Sequence, residues 1–218
     1  MKILDVPQSG SVAGVTSSRN AYGQYRRTRA IPVNPASTFQ GNVRARLSQN
    51  ASDWRNLTAT EREGWATLGA YIQRTDSLGQ VYSLSGFQCF VSVNNNRLAA
   101  GDAVITTPPA LAFPDPMVSI TPTISSAAAS IAYTPTPVGA AERVFINMSP
   151  MRSAGAGFNG DYRLILVTAA AAASPANVLA AYQGRFGTPI TGTRIFVSIQ
   201  RYAAGFLSQP INTSVVVA

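Results

Sequence analysis

Arginine and tyrosine side chains cluster near the start of the chain, at spacings that suit the binding of anionic or planar groups. Six arginines and no acidic residue occur between Arg19 and Arg46. A guanidinium group can donate paired hydrogen bonds to a carboxylate or phosphate and can stack on an aromatic ring. Because like charges at this density gain nothing from one another, the segment needs a solvated face or a partner. The candidate contact residues are Arg19, Tyr22, Tyr25, Arg26, Arg27, Arg29, Arg44 and Arg46.

The rest of the composition argues against catalysis. The chain has no histidine in 218 residues, which removes the usual proton shuttle at neutral pH and excludes Ser-His and Cys-His nucleophiles. Its one cysteine, Cys89, lies in an apolar run and is predicted to be a buried, inert thiol. The nine acidic residues are mostly far apart, so no carboxylate pair or oxygen-ligand loop is evident. We therefore expect a non-enzymatic protein without a metal or cofactor.

Charge and hydropathy indicate the broad class of protein. Hydrophobic residues make up 46% of the chain and charged residues 12%, enough apolar material for cores in two modest domains. So few charges suggest that neighbouring molecules cover part of the surface. No apolar run is long enough to span a bilayer, and the N-terminus lacks the unbroken apolar core of a secretory leader. We expect synthesis in the cytoplasm and no membrane partner.

The first 33 residues are predicted to form an extended arm that ends in a hairpin. A turn-forming stretch precedes the strand-like residues 24–31. Strand alternation places Tyr25, Arg27 and Arg29 on one face and Arg26 on the other. Neither face is apolar enough to form a core of its own. Strands of another subunit are therefore expected to complete the arm.

A helical subdomain is predicted for residues 34–104, and its first helix follows the proline-rich break. Asn34 can cap this helix with Pro35 at its first position, whereas Ser37 and Gln40 offer a second start one turn later. Apolar residues then recur at the spacing of one helix face, which we expect to pack inside the subdomain. That stripe consists of Phe39, Val43, Leu47, Ala51 and Trp54.

Two further helices are predicted in the same subdomain. Thr58 with Glu61 three residues later forms a capping box, so Glu61 is interpreted as a cap and not as a catalyst. This second helix carries Trp65, which we expect to meet Trp54 across the turn. The third helix is predicted over residues 85–98, with a capping box at its start and a glycine after its end.

The C-terminal half is predicted to be an antiparallel β-sandwich of immunoglobulin or fibronectin type III kind, giving an α+β fold. A proline-rich linker at 105–116 separates this domain, 117–218, from the helices. A short helix is predicted at 174–182, among strands with period-two alternation. The strand-like segments are 117–124, 128–134, 143–149, 162–168, 194–202 and 209–217.

A series of motifs in the first third of the chain matches a known pattern. Its residues are Tyr25, Arg27, Arg29, Pro32, Asn34, Pro35, Thr38, Gln40, Val43, Arg44, Leu47, Trp54, Leu57, Thr58, Glu61, Arg62 and Trp65. This pattern resembles a family of bacteriophage and prophage virion proteins with an arginine-rich arm and an Asn-Pro helix start. Residues 161–164 and 194–197 resemble the fibronectin-type module that often follows. The resemblance implies a virion component made in the host cytoplasm, without a catalytic residue.

Three functions from different classes fit these features. The first is a structural subunit of a capsid, tail tube or other virion assembly, which contacts itself and other virion proteins through the arm and first helix. The second is nucleic-acid binding by the arginines, with Tyr22 and Tyr25 stacked on bases, although lysine is nearly absent. The third is a host-surface or glycan binder, in which Phe158, Tyr182 and Phe206 stack on sugars, although such aromatics are more often core plugs.

Overall fold

The computed structural model describes residues 8–20, 22–31, 33–34, 36–75 and 79–218. The chain divides into two compact units, Met1–Asn42 and Val43–Ala218. Within the described residues, four α-helices accompany several antiparallel sheets. The fold is therefore mixed α+β, as the sequence predicts, and is compatible with a β-sandwich.

The first unit contains a three-stranded antiparallel sheet, which we call the ribbon. It consists of β1 (Gly10–Val12), β2 (Val15–Asn20) and β3 (Gly23–Thr28), in that order. Strand β1 was not predicted, and β3 ends three residues before the predicted end of the strand. The paired register ends where Thr28 meets Val15, the first residue of β2, and beyond it the Arg29 N–H donates to the carbonyl of Gly14 in the β1–β2 turn (2.8 Å).

Helix α1 (Thr38–Asn56) begins at the second of the two predicted starts. The Ser37 hydroxyl accepts a hydrogen bond from the Gln40 N–H (3.4 Å), and the Gln40 side chain accepts one from the Ser37 N–H (3.3 Å). The Asn34 side chain instead accepts from the N–H of Ala36, whose φ of 45° cannot belong to a helix. The expected cap at Asn34 is therefore wrong. Pro32 and Pro35, the other residues of that prediction, lie outside the described residues.

Helix α2 (Ala59–Tyr71) begins with the predicted capping box. The Glu61 carboxylate accepts a hydrogen bond from the Thr58 N–H (2.8 Å), and the Thr58 hydroxyl accepts one from the Glu61 N–H (3.3 Å). The backbone hydrogen bond from Thr58 is the main cause that lowers the pKa of Glu61. Glu61 is a helix cap, as expected.

Helix α3 (Gly86–Ala100) also has its predicted capping box, and it ends at Gly101. Gly101 adopts a φ of 82°, a left-handed conformation that glycine enters without strain. Two short strands that were not predicted, β4 (Gln73–Thr75) and β5 (Val81–Ser83), pair between α2 and α3. They are too short for alternation to be visible in the sequence.

Aromatic rings form the centre of the helical core. The expected meeting of the two tryptophans occurs through a third ring, because Trp54 and Trp65 each contact Phe90, with centroids 5.5 and 5.2 Å away. Residues 105–116 form neither helix nor strand, as their proline content predicts. They nevertheless pack on the helices, since the Asn94 amide exchanges hydrogen bonds of 3.1 and 2.9 Å with the backbone of Ile105.

Two larger antiparallel sheets occupy residues 119–216, and all six predicted strands are present. One sheet has the strand order β10-β7-β6, and the other β12-β11-β8-β9 with β13 also paired to β11. The bounds are β6 (Ser119–Ile124), β7 (Ala129–Thr134), β8 (Arg143–Met148), β9 (Arg163–Val167), β10 (Ala176–Asn177), β11 (Arg194–Ala203), β12 (Phe206–Leu207) and β13 (Ile211–Val216).

One hydrophobic cluster joins these two sheets. Ile131 of β7, Ile146 of β8 and Ile199 of β11 are all fully buried in it. Residues from both sheets therefore share one interior, as in a sandwich. The backbone N–H of Ala218 also bonds the carbonyl of Ile124 at 3.0 Å, which ties the end of the chain to β6.

The helix predicted at 174–182 lies further along the chain, as α4 (Leu179–Phe186). Ser174 does not cap it, because the Ser174 hydroxyl accepts a hydrogen bond from the Tyr133 N–H of β7 (2.9 Å). That bond keeps the chain beside the sheet, where it continues as β10. The side chain of Asn177 accepts from the Leu179 N–H (3.1 Å) at the start of the helix.

The turn between β11 and β12 enters the helical core. Phe206 is buried against Phe90 and Val93, and the Gly205 carbonyl accepts a hydrogen bond from the Asn96 amide (2.9 Å). A Cβ atom on Gly205 would lie 2.5 Å from Val93 Cγ1, and Gly205 has a φ of +98°. Only glycine both lacks a Cβ atom and adopts this φ without strain.

We expect Gly205→Ala to lower the free energy of unfolding by about 1–3 kcal/mol, through steric overlap and backbone strain. The matched control is Gly184→Ala in α4, where a Cβ atom would meet nothing within 4 Å. That change should raise stability by about 0.5–1 kcal/mol, since alanine favours helix. Urea denaturation followed by circular dichroism measures both. Equal effects at the two glycines would contradict the close fit at Gly205.

Candidate functional site

The ribbon collects most of the predicted contact residues and displays them on both of its faces. Arg19 lies directly opposite Gln24 in the β2–β3 pair, and Arg26 lies two residues further along β3 on the same face. Tyr25 and Arg27 alternate with them and occupy the other face. The arginines therefore do not converge on one point.

The arginines of the ribbon are exposed, whereas Gln24 and Tyr25 are half-buried. None of the described residues among 8–34 is buried, and Tyr22, beside the β2–β3 turn, is 92% exposed. Arg19, Arg27 and Arg29 have no acidic partner within the described part of the chain. The Arg26 guanidinium donates to the side-chain oxygen of Gln8 at 3.0 Å. Arg19, Arg27 and Arg29 thus present positive charge that no acidic side chain of the described residues neutralises.

Arg44 and Arg46 belong to α1 and to the second unit, not to the ribbon. Two positions along a helix correspond to a rotation of about 200°, so the two side chains leave the helix on different sides. Arg44 is exposed and Arg46 is half-buried. They do not form a paired anion site.

The apolar stripe of α1 is exposed over its first half, so its expected burial in the subdomain is wrong there. Phe39, Val43 and Leu47 are 47%, 60% and 53% exposed, and we call these three residues the α1 stripe. The reason is that the apolar face of α2 packs on α3, through pairs such as Trp65 with Phe90. Trp54, near the end of α1, contacts Phe87 and Phe90 of α3, so this helix packs on α3 through its last turns.

The three loop aromatics of the sandwich region differ in environment. Tyr182 and Phe206 are buried, as core plugs. Burial raises the pKa of Tyr182 to about 12, and its hydroxyl donates to the Ser149 carbonyl at 3.2 Å. Phe158, by contrast, is 86% exposed.

A groove of about 780 Å³ lies between β4, α3 and the β11–β12 hairpin. Sequence patterns gave no sign of it, because it is formed by segments far apart in the chain. Cys89 lines it but is fully buried, so its predicted burial is confirmed. Burial raises the pKa of its thiol to about 11, which favours the protonated form over the reactive thiolate. Among its other lining residues are Tyr71, Arg74, Asn96, Phe113, Asp115 and Gln200.

No protein-family model matches this sequence, and no curated protein is significantly similar to it. The likeness to phage proteins therefore rests on the motif residues alone. The helices among the described residues are all too short or too polar to cross a bilayer. Those residues also contain no group of three or more histidine, cysteine or acidic side chains arranged to hold a metal.

We expect Leu47→Ala to change the free energy of unfolding by less than about 0.5 kcal/mol, because Leu47 lies in the exposed stripe. The same substitution at Leu68, which is buried in the helical core, should cost about 2–5 kcal/mol. Chemical denaturation at low protein concentration, where self-association is suppressed, measures both values. A large cost at Leu47 would mean that the stripe packs within its own chain.

Proposed function

We propose that this protein is a non-enzymatic structural subunit of a phage-like particle, which self-associates through the ribbon and α1. The observation that carries the proposal is the distribution of burial. The ribbon has no buried residue among those described, whereas the second unit contains complete hydrophobic clusters. An element without a core of its own gains stability by docking on another molecule.

The strand edges of the ribbon supply one mode of contact. Strands β1 and β3 are outermost in the order β1-β2-β3. An outer strand presents backbone N–H and C=O groups that can pair with a strand of another chain. The ribbon can therefore extend, or be extended by, a sheet in a neighbouring subunit.

The α1 stripe supplies a second mode of contact. Phe39, Val43 and Leu47 follow one another at intervals of four residues on one side of α1, beside Arg44. Aromatic and arginine side chains are enriched at protein interfaces. A hydrophobic surface on a neighbouring subunit would remove these side chains from water.

The C-terminal sheets support a fibronectin type III-like module as the other part of the subunit. Strands β6, β7 and β10 form one sheet. Strands β8, β9, β11 and β13 form the other, together with the short β12, which pairs with β11. Two antiparallel sheets with a shared core favour an immunoglobulin-like sandwich. Such modules serve as spacers and contact surfaces.

Nucleic-acid binding is the second candidate function, and one observation favours it. Arg19, Arg27 and Arg29 have no acidic partner in the described chain, and Tyr22 is exposed beside them in sequence. Phosphates could neutralise the arginines while a base stacks on the tyrosine. Filter binding of a DNA duplex and an RNA strand at increasing salt tests this function. Retention that does not depend on salt, or no retention, would exclude it.

We expect the purified chain to form oligomers, and deletion of residues 1–33 to abolish them. Every buried residue of the described chain lies at Asn50 or later, so the truncated protein should keep its fold. Sedimentation velocity and negative-stain electron microscopy measure assembly, and circular dichroism measures folding. Assembly that survives the deletion unchanged would refute the role of the ribbon.

A charge reversal in the full-length chain provides a sharper control. Arg27→Glu with Arg29→Glu changes two exposed arginines without removing a buried side chain. The double variant should assemble more weakly if these arginines meet acidic groups of a neighbour, whereas Arg27→Lys with Arg29→Lys should assemble normally. Equal behaviour of the two double variants would place the contact elsewhere on the ribbon.

A further inference from the structure

The loop between β8 and β9, residues 149–162, holds one highly exposed aromatic side chain, Phe158, whereas its other aromatic residue, Tyr162, is half-buried. Apart from Phe158, its central part is small, with glycine at positions 155, 157 and 160. A Cβ atom on Gly160 would lie 3.7 Å from the Phe158 ring, so one edge of the ring lies next to Gly160 of the same loop. The Phe158 residue is nevertheless 86% exposed. An aromatic ring supported in this way is a platform for a ligand.

The loop is held in place despite its glycines. Arg152 and Arg194 exchange two backbone hydrogen bonds of 2.9 and 2.8 Å. The Arg194 side chain donates to the Ala154 carbonyl (2.8 Å), and the Arg152 side chain donates to the side-chain oxygen of the buried Asn159 (3.3 Å). Because Asn159 is the neighbour of Phe158, these bonds fix the base of the platform. A fixed platform loses little entropy when a ligand binds.

Positive charge surrounds the same loop. Asp161 forms ion pairs with Arg163 at 2.8 Å and with Arg152 at 3.8 Å, and both arginines are substantially exposed. Arg185 donates to the Leu164 carbonyl at 3.1 Å, and its pKa is lowered first by burial and then by Arg163, while Asp161 raises it. The guanidinium groups of Arg163 and Arg152 therefore share one carboxylate. This excess of positive charge can receive an anionic group.

We propose that this loop binds an acidic saccharide, with the C–H face of the sugar on Phe158 and its carboxylate on Arg163 and Arg152. Small ligands are recognised by apolar surface combined with a few oriented polar groups, and arginine binds carboxylates in paired geometry. A protein interface normally buries about 800 Å² on each side, with several anchors. A nucleic-acid strand uses several stacked aromatics along a basic groove. One exposed ring with two neighbouring arginines fits a sugar best. Saccharide binding at this loop is independent of the proposed assembly.

Calorimetric titration of the full chain tests the proposal with defined probes. The probes are a hexamer of α-1,4-linked galacturonate and a tetramer of α-2,8-linked sialate. At least one of them should bind saturably, whereas the methyl ester of the galacturonate hexamer should bind at least about tenfold more weakly, because the ester removes the charge and keeps the ring. If neither acid binds, the proposal fails.

Substitutions separate stacking from simple charge attraction. Phe158→Ala should weaken binding at least about threefold, and Phe158→Trp should preserve it. Arg163→Gln should weaken binding about tenfold. Val118→Ala, at an exposed apolar residue outside the loop, is the control and should have no effect.

Three results would overturn the proposal even if an acidic saccharide binds. The first is unchanged affinity of Phe158→Ala, which would leave only non-specific charge attraction. The second is equally tight binding of poly-glutamate, which carries carboxylates without a sugar ring. The third is tighter binding of a ten-nucleotide oligothymidine with the same dependence on Phe158, which would make the loop a nucleic-acid site.

Discussion

The structure of the second unit depends on the insertion of the β11–β12 turn into the helical core. Phe206 is buried there beside Phe90 and Val93, and Gly205 brings the backbone close enough for the Asn96 amide to bond its carbonyl. Burial of a phenylalanine side chain is worth about 1.5–3 kcal/mol. Because β11 is a central strand of the larger sheet, this turn joins the sheet to the hydrophobic core of the helices.

A polar network accompanies this hydrophobic contact where α3 ends. The Asp102 carboxylate accepts hydrogen bonds from the Arg143 guanidinium (2.7 Å) and the Tyr202 hydroxyl (2.6 Å), and Arg143 also donates to the Ala100 carbonyl. Burial raises the pKa of Tyr202, and the bond to Asp102 raises it further. Residues of β8 and β11 thus satisfy groups at the end of α3 that the helix itself leaves unpaired.

The sequence predicted those features that neighbouring residues determine. The capping pair of Thr58 and Glu61, and the strands with period-two alternation, depend on residues close together in the chain. The insertion of Phe206 could not be predicted, because its partners in α3, Phe90 and Val93, lie more than a hundred residues earlier. Sequence spacing also cannot tell which molecule covers the α1 stripe, since the spacing of Phe39 and Leu47 is the same whether the covering surface belongs to this chain or to another molecule.

The charges of the ribbon constrain how identical copies could meet if the proposed assembly is correct. Strand β1, Gly10–Val12, carries no charge, whereas β3 carries Arg26 and Arg27 on opposite faces. Stacking two ribbons face to face would bring arginines against arginines, and pairing two β3 edges would do the same. Pairing along β1 avoids this repulsion. Because salt screens exposed charges beyond about 10 Å at 0.1 M, contacts through β1 would depend little on ionic strength, whereas stacked faces would require high salt or an anion between them.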